Sequence, residues 1–203
     1  MKLRFLLILF NLFAYQSYAQ TETSDSSNSF LIGGGRTFTG SGDYYGVMLY
    51  TQYNHSLNHQ WLVSPRLSFA MGTASEPSGA SMAGTGVFWQ SSAMAIDIDF
   101  NKLIFPKITR HISVYLSAGP SLRYLIDTSP DSFFMEVNQS TGEVLFDEIE
   151  YEQKRGLAIG ATGGINLSVN LANNFQVLGR ASVQIYSDDS IVPFYGIAVG
   201  KRF

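Results

Sequence analysis

The chain has 203 residues, 14% of them charged and 14% aromatic, with no cysteine and a formal net charge of −3. That length is compatible with a single β-barrel domain, and the charge content lies well below the roughly 25% usual in soluble domains. The lack of cysteine excludes disulfides and thiolate metal sites, and the mildly acidic balance argues against a nucleic-acid binder.

Residues 1–19 read as a cleaved signal peptide. Lys2 and Arg4 form a positive start, Leu3 to Phe13 an apolar core broken by Arg4 and Asn11, and Ser17-Tyr18-Ala19 a small-x-small cleavage site. The apolar run is shorter than the about 20 residues a transmembrane helix needs. Cleavage near Ala19 leaves 11 basic and 16 acidic residues, a mature charge of −5. Residues 20–28, "QTETSDSSN", form a polar tail, and 29–203 the barrel domain.

Eight strands follow, at about 30–38, 44–55, 61–71, 86–100, 112–124, 156–171, 175–187 and 194–203. Period-two alternation identifies them, because successive side chains on a strand project to opposite faces. Over 175–187, Phe175, Val177, Gly179, Ala181, Val183 and Ile185 oppose Gln176, Leu178, Arg180, Ser182, Gln184 and Tyr186. Over 156–171 an oily face led by Leu157 and Ile159 opposes Gly156, Gly160 and Gly164, which suit the inside of a narrow tube. The first strand, "FLIGGGRTF", is ambiguous in face. Tight links after strands two and six ("SLNHQ", "ANN") contrast with long ones at 72–85 and 125–155, and "NKLIFPKITRH" is intermediate. Short turns on one rim and long loops on the other match transmembrane barrels, with both termini on the periplasmic side.

The apolar faces meet lipid on this reading, since the charges a wet exterior needs are absent from the strands. Eight acidic residues instead crowd into 127–155: Asp127, Asp131, Glu136, Glu143, Asp147, Glu148, Glu150 and Glu152. Tyr45, Tyr53, Trp61, Phe100, Tyr124, Phe175, Tyr195 and Phe203 fall near strand ends, where interfacial aromatic girdles lie. The expected fold is all-β, an eight-stranded antiparallel up-and-down transmembrane β-barrel, monomeric, in a bacterial outer membrane.

The last strand, "FYGIAVGKRF", closes on an aromatic residue, with Tyr195, Ile197 and Val199 alternating before Phe203. With the signal peptide and eight strands, it makes the chain resemble the small bacterial outer-membrane β-barrel domain family over nearly all its mature length. Lys201 departs from the family's pattern. The resemblance implies a terminal signal read by the barrel-assembly machinery during biogenesis, and no particular activity.

An eight-stranded lumen is just wide enough to be filled by side chains, so no general pore is expected. Arg66, Asp97, Asp99, Arg123, Arg180 and Arg202 point inward on this reading, with Arg36 a further candidate. They read as a hydrogen-bonded plug, or alternatively as a narrow ion path, with Arg202 or Arg180 reaching Asp97 and Asp99. A second alternative is a lipid-modifying enzyme, since His111-Ile112-Ser113 resembles the His-x-Ser of barrel lipid A deacylases. His111, His55 and His59 all fall on the periplasmic rim, however, so no catalysis is expected. No cofactor is implied.

The connection 125–155 is the most distinctive segment. It reads as a hairpin projecting past the rim, with Phe133, Phe134, Met135, Val137, Leu145 and Phe146 as apolar contacts for a protein partner through β-augmentation. Alternatives are a solvated acidic loop packed on the barrel mouth, or a divalent cation at Asp147, Glu148 and Glu150.

Overall fold

The computed structural model describes residues 28–39, 44–76, 87–109, 112–137, 140–141 and 144–203. The expected signal peptide (1–19), His111 and all of the expected polar tail except Asn28 lie outside them. Eight strands succeed one another: β1 (Ser29–Thr39), β2 (Tyr44–Ser56), β3 (Trp61–Glu76), β4 (Val87–Thr109), β5 (Ile112–Val137), β6 (Val144–Asn170), β7 (Phe175–Tyr186) and β8 (Ile191–Arg202). Each pairs antiparallel with the next, and β1 pairs with β8 from Ser29↔Arg202 to Thr37↔Phe194, closing the barrel. Backbone bonds between Asn28 and Phe203, in both directions, extend the closure beyond the last strand pair. Closure removes sheet edges and satisfies backbone groups that hydrocarbon would leave unpaired.

Alternation fixes the two faces. Along β7 the even positions from Gln176 to Tyr186 are buried and the odd ones are half-buried or exposed. Leu157, Ile159, Ile197 and Phe203 are each more than 60% exposed, against 3% for Arg66 and 0% for Asp97 and Asp99. The interior therefore takes most of the buried charges and buried polar groups while the exterior is oily, the inverse of a soluble barrel. Phe100, Phe175 and Phe203 ring the rim bearing the termini, and Tyr45, Tyr124 and Tyr195 the far rim. Inward glycines make room for rings: a Cβ on Gly160 would meet the Tyr186 ring at 2.5 Å, and one on Gly196 the Phe194 ring at 2.6 Å.

Several strands outrun the sequence reading. The intermediate link after β4 is mostly strand, with register shifts at Leu103/Phe105 and Phe105/Thr109, so only residues 110–111 separate β4 from β5. The segment 125–155 is the hairpin expected from the sequence, continuous with the barrel strands rather than set apart from them. β5 and β6 continue through it as one ladder to Val137↔Val144. The tight turn before β7 places Asn173 and Asn174 at φ 59° and 62°, which asparagine tolerates better than most residues.

Arg36 corrects an expectation. Ser29, Leu31 and Thr37 are buried, so odd positions of β1 face the lumen and the exposed Arg36 faces outward. Three consecutive glycines carry no face signal, which left the parity of this strand unreadable. Arg36 pairs with Val47 and Tyr195, one outward step inside the Phe38–Tyr45 ring contact. Near the interface such a charge costs only about 0–1 kcal/mol.

Candidate functional site

The lumen is packed in three tiers. Nearest the termini, carboxamides and hydroxyls form a chain across the barrel. Asn166 Nδ2 donates to Asn101 Oδ1 (2.7 Å), and Asn101 Nδ2 to Ser64 Oγ (2.8 Å). Ser64 Oγ donates to Asn54 Oδ1 (2.7 Å), and Asn54 Nδ2 to Ser29 Oγ (3.0 Å).

The middle tier holds the charges. Arg66 donates to Asp97 Oδ2 through Nε (2.9 Å) and Nη2 (2.7 Å), while Gln184 Nε2 donates to Asp97 Oδ1 (3.0 Å). Asp99 Oδ2 lies 3.5 Å from Arg66 Nη1 and 2.7 Å from Arg180 Nη2. The second contact is an ion pair by distance, but its N–H is not aimed for a hydrogen bond. Two guanidiniums thus face two carboxylates, and the tier is formally neutral. Buried charges persist only when paired in this way. Asp99 Oδ1, Gln52 Oε1, Asn166 Oδ1 and Arg180 Nη1 are buried with no hydrogen-bond partner from the protein. Buried polar groups of this kind are the usual hosts of internal water.

Apolar and aromatic side chains make the upper tier: Met48, Ala70, Val192, and Tyr50 edge-on to Phe194 with centroids 5.6 Å apart. Arg123 caps it. Its guanidinium sits 4.0 Å from the Tyr186 ring centre and donates through Nη2 to Asp188 Oδ2 and Ser190 Oγ, each at 2.6 Å. Hydrogen bonds from Ser190 and the Arg123 charge outweigh burial and hold the Asp188 carboxyl below its ordinary range. The void beneath Arg123 admits about one water molecule.

Four expected lumen residues therefore meet as an ion-pair tier, with Arg66 and Arg180 holding Asp97 and Asp99. Arg123 works apart, as the cap. Of the two cations expected to reach these carboxylates, Arg180 does so. Arg202 is half-buried at the termini rim, where its charge reaches Tyr115. Sequence reasoning missed Tyr50, Gln184, Tyr186 and Asp188. The first three stand at inward positions that alternation marks, but being uncharged they carry no signal that distinguishes them from other lumen filling. Asp188 belongs to the turn after β7, which carries no periodicity to show that it reaches back to the mouth.

The histidine idea finds no assembled site among the described residues. Ser113 is half-buried and hydrogen-bonds Tyr115, while His55 Nδ1 lies 3.0 Å from Asn28 Oδ1.

Beyond the far rim, β5 and β6 project as a two-stranded ribbon. The backbones of Phe133, Phe134, Met135, Val137, Leu145 and Phe146 lie in it, with register partners such as Phe133↔Ile149 and Met135↔Asp147; their side chains lie outside the described residues. The side chains of Asp147 and Glu148 do so too. The Glu150 carboxylate accepts from Ser132 Oγ at 2.8 Å. At the ribbon's foot, burial pushes the Asp127 carboxyl up, and Lys154 pulls the other way.

No protein-family model matches the chain, and no curated protein matches its sequence. Among solved structures, a major outer membrane protein of Thermus thermophilus superposes with a TM-score of 0.51 at 13% identity, covering 87% of this chain and 99% of that one. Ail, the attachment invasion locus protein of Yersinia pestis, solved with the heparin analogue sucrose octasulfate, gives 0.49 at 18% identity over 89% and 100%. The N-terminal β-barrel domain of Pseudomonas aeruginosa OprF gives 0.49 at 15% over the same shares. At these identities the likeness is one of fold. The chain has the fold of bacterial outer-membrane β-barrels, and its apolar exterior is the lipid-facing surface that fold carries.

Proposed function

We propose that this outer-membrane barrel acts as an interaction protein, with the β5–β6 ribbon as its contact surface for a protein partner. On this reading residues 1–19 direct export and are removed, the barrel-assembly machinery inserts the chain as a monomer, and the far rim faces outward from the cell. The supporting observation is the segregation of charge. Residues 126–155 hold eight acidic against two basic side chains, a net of −6 in a chain of −3 overall, while the charged tier of the lumen is neutral. A plugged barrel offers no passage, so the ribbon is the part equipped to meet another molecule. Phe133, Phe134, Met135, Val137, Leu145 and Phe146 would supply apolar contacts. Deleting residues 130–150 tests the reading: the variant should still fold and shift its gel mobility on boiling, yet lose a partner that cross-links to the wild type. Retention of that partner would refute it.

A further inference from the structure

The ribbon has two lateral edges, and they are not equivalent. β4 accompanies β5 only to Gln90↔Thr128, and β7 accompanies β6 only to Gly160↔Tyr186, with Ser187 N donating to Ile159 O one residue further. Past those points both strands run with one side unpaired among the described residues. The β5 edge is blunted. Pro130 lacks an N–H, and a register shift follows it before Ser132. Proline and bulges are the usual devices that stop an edge from pairing.

The β6 edge has neither device between Ile149 and Leu157. A residue's N–H and C=O point to one side of its strand, and the side alternates. Ile159 O faces β7, so Leu157, Arg155, Gln153, Tyr151 and Ile149 present their backbone groups to the open side. The same alternation puts Pro130, opposite Tyr151, on the outer edge of β5, where its missing N–H blunts that edge. Charge limits what can pair there. Asp147, Glu148, Glu150 and Glu152 line this stretch of sequence, while its two cations are engaged locally: Lys154 Nζ lies 3.0 Å from Glu152, and Arg155 donates to Gln153 Oε1. A second copy would bring acidic strand against acidic strand, and like charges directly opposite are destabilising.

We propose that the open β6 edge from Ile149 to Leu157 is a docking strand for a basic, extended segment of a partner protein, which adds to the ribbon by backbone hydrogen bonds. This rests on the interaction role assigned to the ribbon and names which edge acts and the partner's chemistry.

The test uses the full mature chain in detergent micelles, with labelled peptides of alternating Lys and Val or alternating Glu and Val, followed by fluorescence anisotropy. The basic peptide should bind and the acidic one should not. Gln153→Pro removes an N–H from the open side only, so the β5–β6 ladder survives, and it should weaken binding about tenfold. Pro130→Ala, on the outer side of β5, should leave binding unchanged. Equal binding of both peptides, or full binding to Gln153→Pro, overturns the edge assignment, as does a cross-linked dimer through Tyr151. Those outcomes leave the interaction role standing if deletion of 130–150 still abolishes partner capture; if capture survives the deletion, the role itself fails.

Discussion

Removing Asp99 should unbalance the lumen, and removing Arg180 with it should restore the balance. Asp99 Oδ2 lies 2.7 Å from Arg180 and 3.5 Å from Arg66, all three side chains being essentially inaccessible. With an effective dielectric of about 20, the two attractions are worth about 6 and 5 kcal/mol before desolvation is counted. Desolvation cancels much of this, so Asp99→Asn should cost about 3–5 kcal/mol net, chiefly because it leaves a guanidinium buried without its counter-charge. Arg180→Met alone should cost about the same. In Asp99→Asn/Arg180→Met the remaining Arg66–Asp97 pair is neutral, and replacing a whole buried pair by apolar groups is often close to neutral. The double variant should therefore be more stable than either single one, with a coupling of about 2–3 kcal/mol. Urea unfolding in micelles, followed by the fluorescence of Trp61 and Trp89, measures all four species. Additive losses would refute the neutral-tier argument.

Other consequences are as direct. Gly160→Val should destabilise the barrel by about 1–3 kcal/mol, since its side chain enters the Tyr186 ring, whereas Gly163→Ala, with open space around the added methyl, should leave the melting temperature unchanged. Asp188 titrates below its ordinary value, so its contribution is complete above about pH 3.9 and fades as pH falls through the folded value. Protection of the 187–190 turn amides, relative to their intrinsic exchange rates, should accordingly fall as pH drops below about 3.9, and Asp188→Asn should flatten that response. Planar-bilayer recording of the wild type should show no stepwise current; a steady conductance would refute the packed lumen.

What the sequence made legible follows from where solvent changes. Inside the membrane one face meets lipid and the other a crowded lumen, so β7 and the lower part of β6 declare themselves by strict alternation. Past the far rim successive residues of β6 are exposed on both faces from Glu150 to Arg155. The hydrophobic period loosens between Thr128 and Glu152, so a hairpin is legible there while its register and its continuity with the barrel strands show only through pairing. The facing of Arg36 is illegible in the sequence because Gly33, Gly34 and Gly35 erase the parity on which a face assignment depends. Pairing inside the lumen was beyond reach for another reason. Arg180 and Asp99 come from strands three apart around the barrel, and which charges meet depends on strand tilt and closure rather than on local pattern.

The distribution of charge follows the same physics and makes a last demand on experiment. If residues 1–19 are removed as proposed, 11 basic and 16 acidic residues remain, and the ribbon takes two and eight of them, leaving nine and eight elsewhere. The barrel is thus close to neutral, as a low-dielectric setting requires, and nearly all the excess sits where water and salt screen it over about 8–10 Å. Two functions should then part company with ionic strength. Partner docking on the ribbon should weaken steeply as salt rises, because it draws on exposed acidic side chains. Unfolding of the barrel should barely respond, because its ion pairs are sealed from solvent. If barrel stability fell with salt as docking did, the charges at Asp97 and Asp99 would have to be solvent-connected, and the separation between a sealed lumen and a charged ribbon would fail.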